Sequence, residues 1–320
     1  MGIPTVSKFK RLLSDLRHIR DTNARLELLE RKVKKLNSEL YNVLPETLTV
    51  NARTEAAIAQ VRQEHPIPEN LNIRIAQNDL MFHFSHFYEE DFTKTYISYL
   101  LNGLNPMNIC RRLAEHKFGR MSEMESFLDF ASGYGRLTRY LITEMDPKKV
   151  WVSDIKEKAT DFQVTEFGVH GVPSSYDPKE FQPGRQFDFI YVGSLFSHLP
   201  EETFLPWLEV LLGLLSDRGI LAISVHDSSL MDPPNSADFH FIENSEDKLF
   251  DSVDDHIEDA GKYGITFCSE AYVRKALQKF GFAPEQYKRY PRALSKLQDV
   301  YAITREANVF DDSIQFEHWP

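Results

Sequence analysis

Two carboxylates and a pair of glycines form the strongest candidate for a binding site in this chain. Asp129 lies in the apolar run Phe127–Phe130, which predicts a buried strand, and Gly133 and Gly135 follow it closely. Two glycines permit a sharp turn and let a ligand approach the backbone. Asp154 ends the next apolar run, 19 residues after Gly135. That is the interval expected for a carboxylate that accepts hydrogen bonds from ribose, so the pattern indicates a ligand containing adenosine.

A strand, a turn and a helix must hold these residues at one edge of a sheet. The apolar spacing after Gly135 predicts a helix, with the ligand at its N-terminus. Apolar runs predict further strands at residues 150–154, 171–174, 187–193 and 220–225. Helices are predicted between these strands at residues 156–167 and 201–215, an alternation that favours a doubly wound parallel sheet.

The end of the chain breaks this alternation. Residues 228–264 form an irregular, acidic insertion, long enough to be a functional loop. A helix is then predicted from Ser269 to about Gly281. Two last strand-like runs, 284–290 and 299–304, are too close together for a parallel crossover. They are therefore expected to pair antiparallel.

Two classes of cofactor fit a glycine turn that is followed by an acid: NAD and other adenosine cofactors. A dinucleotide fingerprint needs a third glycine for close packing of the helix, and Thr138 occupies that place. The fingerprint also belongs to a sheet of two parallel halves, which the antiparallel ending contradicts. The residues favour an adenosine cofactor other than NAD.

The segment from Asp129 to Gly135 resembles the Asp/Glu-x-Gly-x-Gly-x-Gly first motif of class I S-adenosylmethionine-dependent methyltransferases. The resemblance continues in order through Asp154 and the antiparallel ending, over roughly residues 125–305. Ala131 stands where the family has its first glycine. The resemblance implies an α/β fold with a doubly wound, seven-stranded Rossmann-like sheet whose last strand is antiparallel. It also implies S-adenosyl-L-methionine as the cofactor.

The same resemblance implies roles for individual residues. Asp129 would orient the methionine amino group, the backbone of Gly133 and Gly135 would border the methionine moiety, and Asp154 would hold the ribose hydroxyls. Serines stand after the third strand, where the family usually has an acid that contacts adenine. The other implied cofactor contacts are Ala131, Ser132, Ile155, Ser174, Ser175, Ser194 and Leu195.

Histidines at predicted strand ends are candidates for a general base. The cofactor carries a good leaving group, so the protein aligns the nucleophile and, for a hydroxyl acceptor, removes a proton. His226 ends the fifth strand and His198 follows the fourth, at the edge where such a sheet binds substrate. Asp227 can orient His226. The alternative is that each histidine simply bonds backbone; of the two, we expect His226 to be the base.

Three segments are similar to methyltransferases that are encoded with, or fused to, glycosyltransferases: residues 194–199, 263–267 and 298–301. This similarity implies a sugar or glycoconjugate acceptor and O-methylation; a small hydroxylated metabolite is the other acceptor considered. A competing hypothesis from another class is a non-catalytic assembly protein, in which an N-terminal helix recruits a partner and the fold is a scaffold.

Composition and charge exclude several classes of protein. The chain has 320 residues, 42% of them hydrophobic, and only two cysteines, which indicates a reducing, cytoplasmic setting. No apolar stretch follows the first basic residues, and charges interrupt the most apolar segment, so neither a signal peptide nor a membrane span is predicted. Residues 1–40 have a net charge of +5; since the whole chain has −11, the other 280 residues have −16. This acidic remainder argues against nucleic acid as a substrate.

The N-terminal region, residues 1–66, is predicted to be helical. Its apolar residues follow the 3-then-4 spacing of a coiled-coil seam, with Asn23 in the one gap: Leu12, Leu16, Ile19, Leu26, Leu29, Val33, Leu36 and Leu40. We expect a homo-oligomeric coiled coil; the alternative is a helix that packs on its own domain. The basic face of this helix is either solvated or contacts an acidic partner or an anionic membrane surface.

Three more regions complete the predicted organisation: a helical cap or lead-in at residues 67–120, the methyltransferase domain at 121–305 and a tail at 306–320. The cap contains His83 and His86 followed by three acids, which is a weak pattern for a metal site. Five interleaved aromatic residues favour packing or a cover over the substrate pocket. No metal is predicted.

Overall fold

A computed structural model describes residues 47–231, 237–243 and 264–317. The chain divides into two units, residues 1–47 and 48–320, and the description below concerns the second. The predicted coiled coil lies outside the described residues. The boundaries expected at residues 66 and 120 fall inside the second unit.

The second unit alternates helices and strands as the sequence predicts. Its α-helices are α1 (Ala52–Glu64), α2 (Leu80–Glu89), α3 (Phe92–Phe118), α4 (Thr138–Leu141), α5 (Glu157–Phe167), α6 (Glu201–Gly213) and α7 (Glu270–Lys279). Its strands are β1 (Phe127–Phe130), β2 (Val150–Ser153), β3 (His170–Gly171), β4 (Phe187–Val192), β5 (Leu215–Asp227), β6 (Phe239–Glu243), β7 (Gly264–Cys268), β8 (Tyr287–Leu294) and β9 (Gln298–Thr304).

Seven of these strands form the predicted core sheet in the order β3-β2-β1-β4-β5-β9-β8. The first five strands are parallel, and β9 runs antiparallel to both β5 and β8. The antiparallel ending is therefore confirmed. The strand order reverses between β1 and β4, which is where an open α/β sheet binds its ligand.

The segment after β5, residues 228–264, is predicted from the sequence to be irregular, and this prediction is wrong in part. Strand β6 lies within this segment and pairs antiparallel with β7, which itself pairs with the last two residues of β5. The sheet therefore has nine strands rather than seven among the residues that the structure describes. Strands β6 and β7 are short and distant from β5 in the sequence, so they pair only where β5 already offers an edge. Their own residues give little local signal for this pairing.

Hydrophobic cores cover both faces of the sheet, because consecutive residues of a buried strand point to opposite sides. Phe127 and Phe189 face the core shared with α3, where their rings stack with centroids 4.8 Å apart. Leu128 and Ile190 face the opposite core, shared with α6 and α7. The tail also packs on the domain, since Ile314 is buried and Asn108 on α3 accepts a hydrogen bond from the Glu317 amide.

Candidate active site

The glycine turn after β1 is held by buried side chains of α5. Gln163 on α5 is fully buried, and its Nε2 donates to Ser132 Oγ at 2.8 Å and to the Gly133 carbonyl at 2.7 Å. A Cβ on Gly135 would lie 2.5 Å from the Phe167 ring and 2.7 Å from Gln163 Oε1, so only glycine fits there. A Cβ on Gly133 would meet nothing within 4 Å. The Gly133 side of the turn is thus open to a ligand.

Ala131 occupies a backbone conformation that explains why the family uses glycine there. Its φ is +57°, in the left-handed region that L-residues other than glycine, Asn and Asp adopt rarely. The methyl group packs at the edge of the core shared with α6. Alanine therefore keeps the turn at a cost in backbone strain.

Asp129 lies below the turn and is almost fully buried at 3% exposure. Thr138, on the helix that follows the turn, donates from Oγ1 to Asp129 Oδ2 at 2.8 Å. Burial raises the pKa of Asp129 to about 7, and nearby Asp154 adds to this, whereas Thr138 and Arg136 oppose it. The carboxyl group is poised to ionise fully when a cation binds beside it. Thr138, which the sequence marked only as a missing glycine, is a partner of this carboxylate.

Asp154 lies directly after β2 and faces the same turn. Its Oδ2 accepts a hydrogen bond from the Gly133 amide at 2.8 Å, and its Oδ1 accepts one from the Lys156 amide at 2.9 Å. Burial raises its pKa, and the two amides oppose the rise. An ionised carboxylate has about four lone-pair sites, so Asp154 keeps capacity for further hydrogen bonds. The neighbouring Ile155 side chain is 42% exposed, which leaves an apolar surface beside Asp154.

Ser194, another residue of the predicted cofactor set, belongs to a hydrogen-bonded group just after β4. Ser194 follows β4 with φ +60°, and its amide donates to Ser224 Oγ at 2.7 Å. Gln298 on β9 joins both serines, since its Nε2 donates to Ser194 Oγ at 3.0 Å and its Oε1 accepts from Ser224 Oγ at 2.6 Å. Leu195, next to this network, packs against the core on the α6 side.

The loop after β3 carries the serines expected near adenine. Ser174 is half-buried, whereas the Ser175 hydroxyl donates to the Glu180 carboxylate within the same loop. Asp177 caps the following turn through the Lys179 amide at 3.0 Å. Because β3 pairs with β2, this loop lies on the same edge of the sheet as Asp154.

His226 and His198 lie close together at the carboxyl edge, with ring centroids 6.4 Å apart. The Nδ1 atom of His226 is buried and has no hydrogen-bond partner among the described residues. Burial lowers the pKa of His226, and nearby His198 lowers it further, while the Thr266 backbone opposes this. His198 Nδ1 bonds the Gly264 carbonyl at 2.8 Å, and burial lowers its pKa as well. Both rings are therefore neutral at pH 7.

Asp227 does not orient His226 as the sequence suggested, because its carboxylate is engaged elsewhere. Its Oδ2 forms an ion pair with Arg289 at 2.8 Å, and its Oδ1 accepts from the Ser229 amide at 2.9 Å. Arg289 on β8 also pairs with Glu270 and with buried Asp299. Asp227 thus belongs to a carboxylate network around one arginine, a network that no local motif in the sequence revealed.

Residues 194–199, 264–267 and 298–301 converge at this edge of the sheet. Ser194 bonds Gln298, as described above. His198 and Gly264 exchange two hydrogen bonds, from the Gly264 amide at 3.2 Å and to the Gly264 carbonyl at 2.8 Å. The Thr266 amide donates to the Ser197 carbonyl at 2.8 Å. Strand β7 is consequently attached to the loop that carries His198.

The cap region carries no cluster of metal ligands. His83 and His86 bond the Gln77 carbonyl and the Thr95 hydroxyl respectively. Among the described residues, no three His, Cys, Asp or Glu side chains group as a metal site would require. None of the helices in that part of the chain combines the length and apolarity needed to cross a bilayer.

Comparison with known protein families gives a match for this chain. The profile of a family described as "Methyltransferase domain" matches residues 105–287, more than half of the chain. No curated protein matches its sequence.

Solved structures to which the chain is similar include an S-adenosylmethionine-dependent methyltransferase from Clostridium acetobutylicum (14% identity, TM-score 0.45; 69% of this chain and 97% of that chain are covered). Another is the 1,6-didemethyltoxoflavin-N1-methyltransferase of Burkholderia thailandensis (16%, TM-score 0.45; 81% and 100%). A third is the magnesium protoporphyrin IX methyltransferase of Synechocystis (16%, TM-score 0.42; 63% and 84%).

Proposed function

We propose that this chain transfers a methyl group to a hydroxyl of a sugar, a glycoconjugate or a small hydroxylated metabolite. The chain belongs to the methyltransferase domain family and is an S-adenosylmethionine-dependent methyltransferase. The residues of the glycine turn fit this cofactor. The open face of Gly133 admits a ligand to the backbone, and the chemistry of Asp129 and Asp154 suits an ammonium and a ribose. The cofactor supplies an activated methyl group.

Asp129 and Asp154 hold the two ends of the cofactor in this proposal. Asp129, ionised by the neighbouring ammonium, fixes the methionine end, and Thr138 keeps its carboxylate in place. Asp154 fixes the ribose, while the amides of Gly133 and Lys156 restrain its two oxygens. The exposed Ile155 and the loop with Ser174 and Ser175 lie on the adenine side. Such fixation aligns the methyl group with its acceptor, which is the main task in this reaction.

His226 is the general base in this proposal, and its unpartnered Nδ1 is the single observation that carries it. A hydroxyl is a weak nucleophile, so it must lose its proton as it attacks the methyl group. His226 is neutral, its Nδ1 has no hydrogen-bond partner among the residues that the structure describes, and it lies at the carboxyl end of β5. Burial keeps the His226 ring neutral, and nearby His198 lowers its pKa further. His198 also attaches strand β7 through the Gly264 carbonyl. Asp227 has a structural role in this proposal, as an ion-pair partner of Arg289.

Polar side chains at the carboxyl edge of the sheet support the proposed class of acceptor. Ser194 and Gln298 are half-buried and hydrogen-bond each other, while the fully buried Ser224 holds both in place. The hydroxyl and amide groups of Ser194 and Gln298 suit a polyhydroxylated ligand. The resemblance of the three converging segments to glycosyltransferase-associated enzymes favours a sugar among such ligands.

The test compares His226→Gln with the wild type in methyl transfer to a panel of free sugars, nucleotide sugars and small alcohols. Release of S-adenosylhomocysteine and methylated product are both followed by mass spectrometry. We expect kcat to fall about 100- to 10,000-fold with unchanged affinity for the cofactor, as for loss of a general base. His170→Gln is the matched control, since His170 lies on β3 and bonds the Lys148 carbonyl.

The pH profile adds a second readout. Because the pKa of His226 is lowered, wild-type kcat should hold constant down to about pH 6.5 and fall only below it. Activity on none of the hydroxyl acceptors, or a His226→Gln variant with an unchanged profile, contradicts the proposal.

A further inference from the structure

The hydroxyl of Tyr191 is a buried polar group that the roles above leave unused. Tyr191 lies on β4, in register with Asp129 on β1, so both side chains project from the same face of the sheet. The residue is only 4% exposed, and its hydroxyl has no hydrogen-bond partner among the described residues. A buried hydroxyl without a partner destabilises a folded chain, so such a group calls for an explanation.

The Tyr191 ring extends toward the carboxyl edge of the sheet, where the cofactor binds in this fold. A Cβ on Gly193 would lie 2.8 Å from Tyr191 Cε1 and 2.9 Å from its hydroxyl oxygen. The hydroxyl therefore lies over the end of β4, and the absence of a side chain at Gly193 leaves room for it. Asp129 and the glycine turn end the adjacent strand at the same edge.

Arg136 brings a positive charge to the same place. It follows Gly135 directly in the turn and is half-buried. Burial raises the pKa of both Asp129 and Tyr191, and the charge of Arg136 opposes this rise in each, so its guanidinium is within electrostatic reach of both groups. Neighbouring Arg139 is occupied differently, because it donates to the carbonyls of Gly135, Asn72 and Arg74.

The methionine moiety of S-adenosylmethionine carries its ammonium and its carboxylate on one carbon atom. If Asp129 takes the ammonium, the carboxylate must lie within a few ångströms of Asp129, and it needs donors there. We propose that the Tyr191 hydroxyl and the Arg136 guanidinium bind this carboxylate. The inference rests on the role proposed above for Asp129, but not on the identity of the methyl acceptor. A charge-assisted bond from a phenol and a cation suits a carboxylate and no other part of this cofactor.

The experiment compares the binding of S-adenosylmethionine with that of decarboxylated S-adenosylmethionine, which keeps the ammonium and the sulfonium. Both are titrated calorimetrically into the full chain, without any acceptor. Tyr191→Phe should weaken S-adenosylmethionine about 10- to 100-fold, as for a lost hydrogen bond to a charged group, and leave the decarboxylated ligand unchanged. Arg136→Gln should show the same selectivity.

Tyr272→Phe is the matched control, because it removes the same hydroxyl from a tyrosine that lies on α7 against Phe204 and Phe239, with Glu201 as its neighbour. It should alter neither affinity. The melting temperature of the ligand-free Tyr191→Phe protein should equal or exceed that of the wild type, because the variant loses only an unpartnered hydroxyl. Equal weakening of both ligands by Tyr191→Phe, or no weakening of either, overturns the inference. Failure to methylate any hydroxyl would leave this result intact, so the two proposals fail separately.

Discussion

Replacement of Thr138 by valine tests the electrostatics of the cofactor site. Valine has nearly the shape of threonine but cannot donate the 2.8 Å hydrogen bond to Asp129 Oδ2. In the wild type the pKa of Asp129 is about 7. Cofactor ammonium binds the ionised carboxylate, so binding should release a proton near neutral pH. Affinity should then rise about tenfold per pH unit below pH 7 and level off above it.

The size of the effect follows from the lost bond. A hydrogen bond to a charged group contributes about 1.5–3 kcal/mol, which corresponds to about 1–2 pH units in the midpoint of the affinity curve. Thr138→Val should therefore bind S-adenosylhomocysteine about 5- to 50-fold more weakly at pH 7. The deficit should shrink at higher pH, where Asp129 is ionised in both proteins.

Calorimetric titrations from pH 6 to pH 8.5 measure this shift, and repeats in buffers of different ionisation enthalpy count the released protons. Thr160→Val provides the control, because Thr160 is also buried but its hydroxyl has no partner among the described residues. A Thr138→Val curve with the wild-type midpoint, or an equal shift in both variants, would refute the assignment of Asp129 as the ammonium ligand.

Two further substitutions test the framework of the site by chemical denaturation. Gly135→Ala should lower the free energy of unfolding by about 2–5 kcal/mol, because the alanine adopts a strained φ of +79° and its methyl group overlaps buried side chains. Gly168→Ala, at φ +70° in open space, should lower it by only about 1–2 kcal/mol. Equal losses would show that the overlap is unimportant. Arg289→Met should destabilise the fold by about 3–5 kcal/mol because it leaves buried Asp299 without its cation. Lys275→Met removes an exposed ion pair and should change the stability little. Comparable losses in the two variants would contradict a stabilising role for the carboxylate network around Arg289.

The sequence predicted those parts of the site that follow one another along the chain. The order of strand, glycine turn and acid, and the antiparallel ending, are local patterns, and the structure contains each of them. The helix after the turn is present and short, from Thr138 to Leu141. The roles of Asp129 and Asp154 toward a ligand stay predictions.

The partners of these residues could not be predicted in the same way. Gln163 reaches the turn from a helix about thirty positions later, and Arg289 gathers carboxylates from three other elements. Nothing in the sequence around either residue distinguishes it from an ordinary surface polar side chain. Likewise, β6 has a pairing partner only once β7 lies against the end of β5. Contacts of this kind depend on the tertiary fold and carry no local signal.

The buried Arg139 has a consequence for the motions of the protein. Its guanidinium donates to the carbonyls of Asn72 and Arg74 in the lead-in segment and to that of Gly135 in the turn. If the lead-in segment moves away, a fully buried cation loses two of its acceptors. Opening of the segment and loosening of the glycine turn should therefore be one cooperative event, with amides in both places exchanging hydrogen at the same rate. The stability of the glycine turn would then depend on residues that precede the family match.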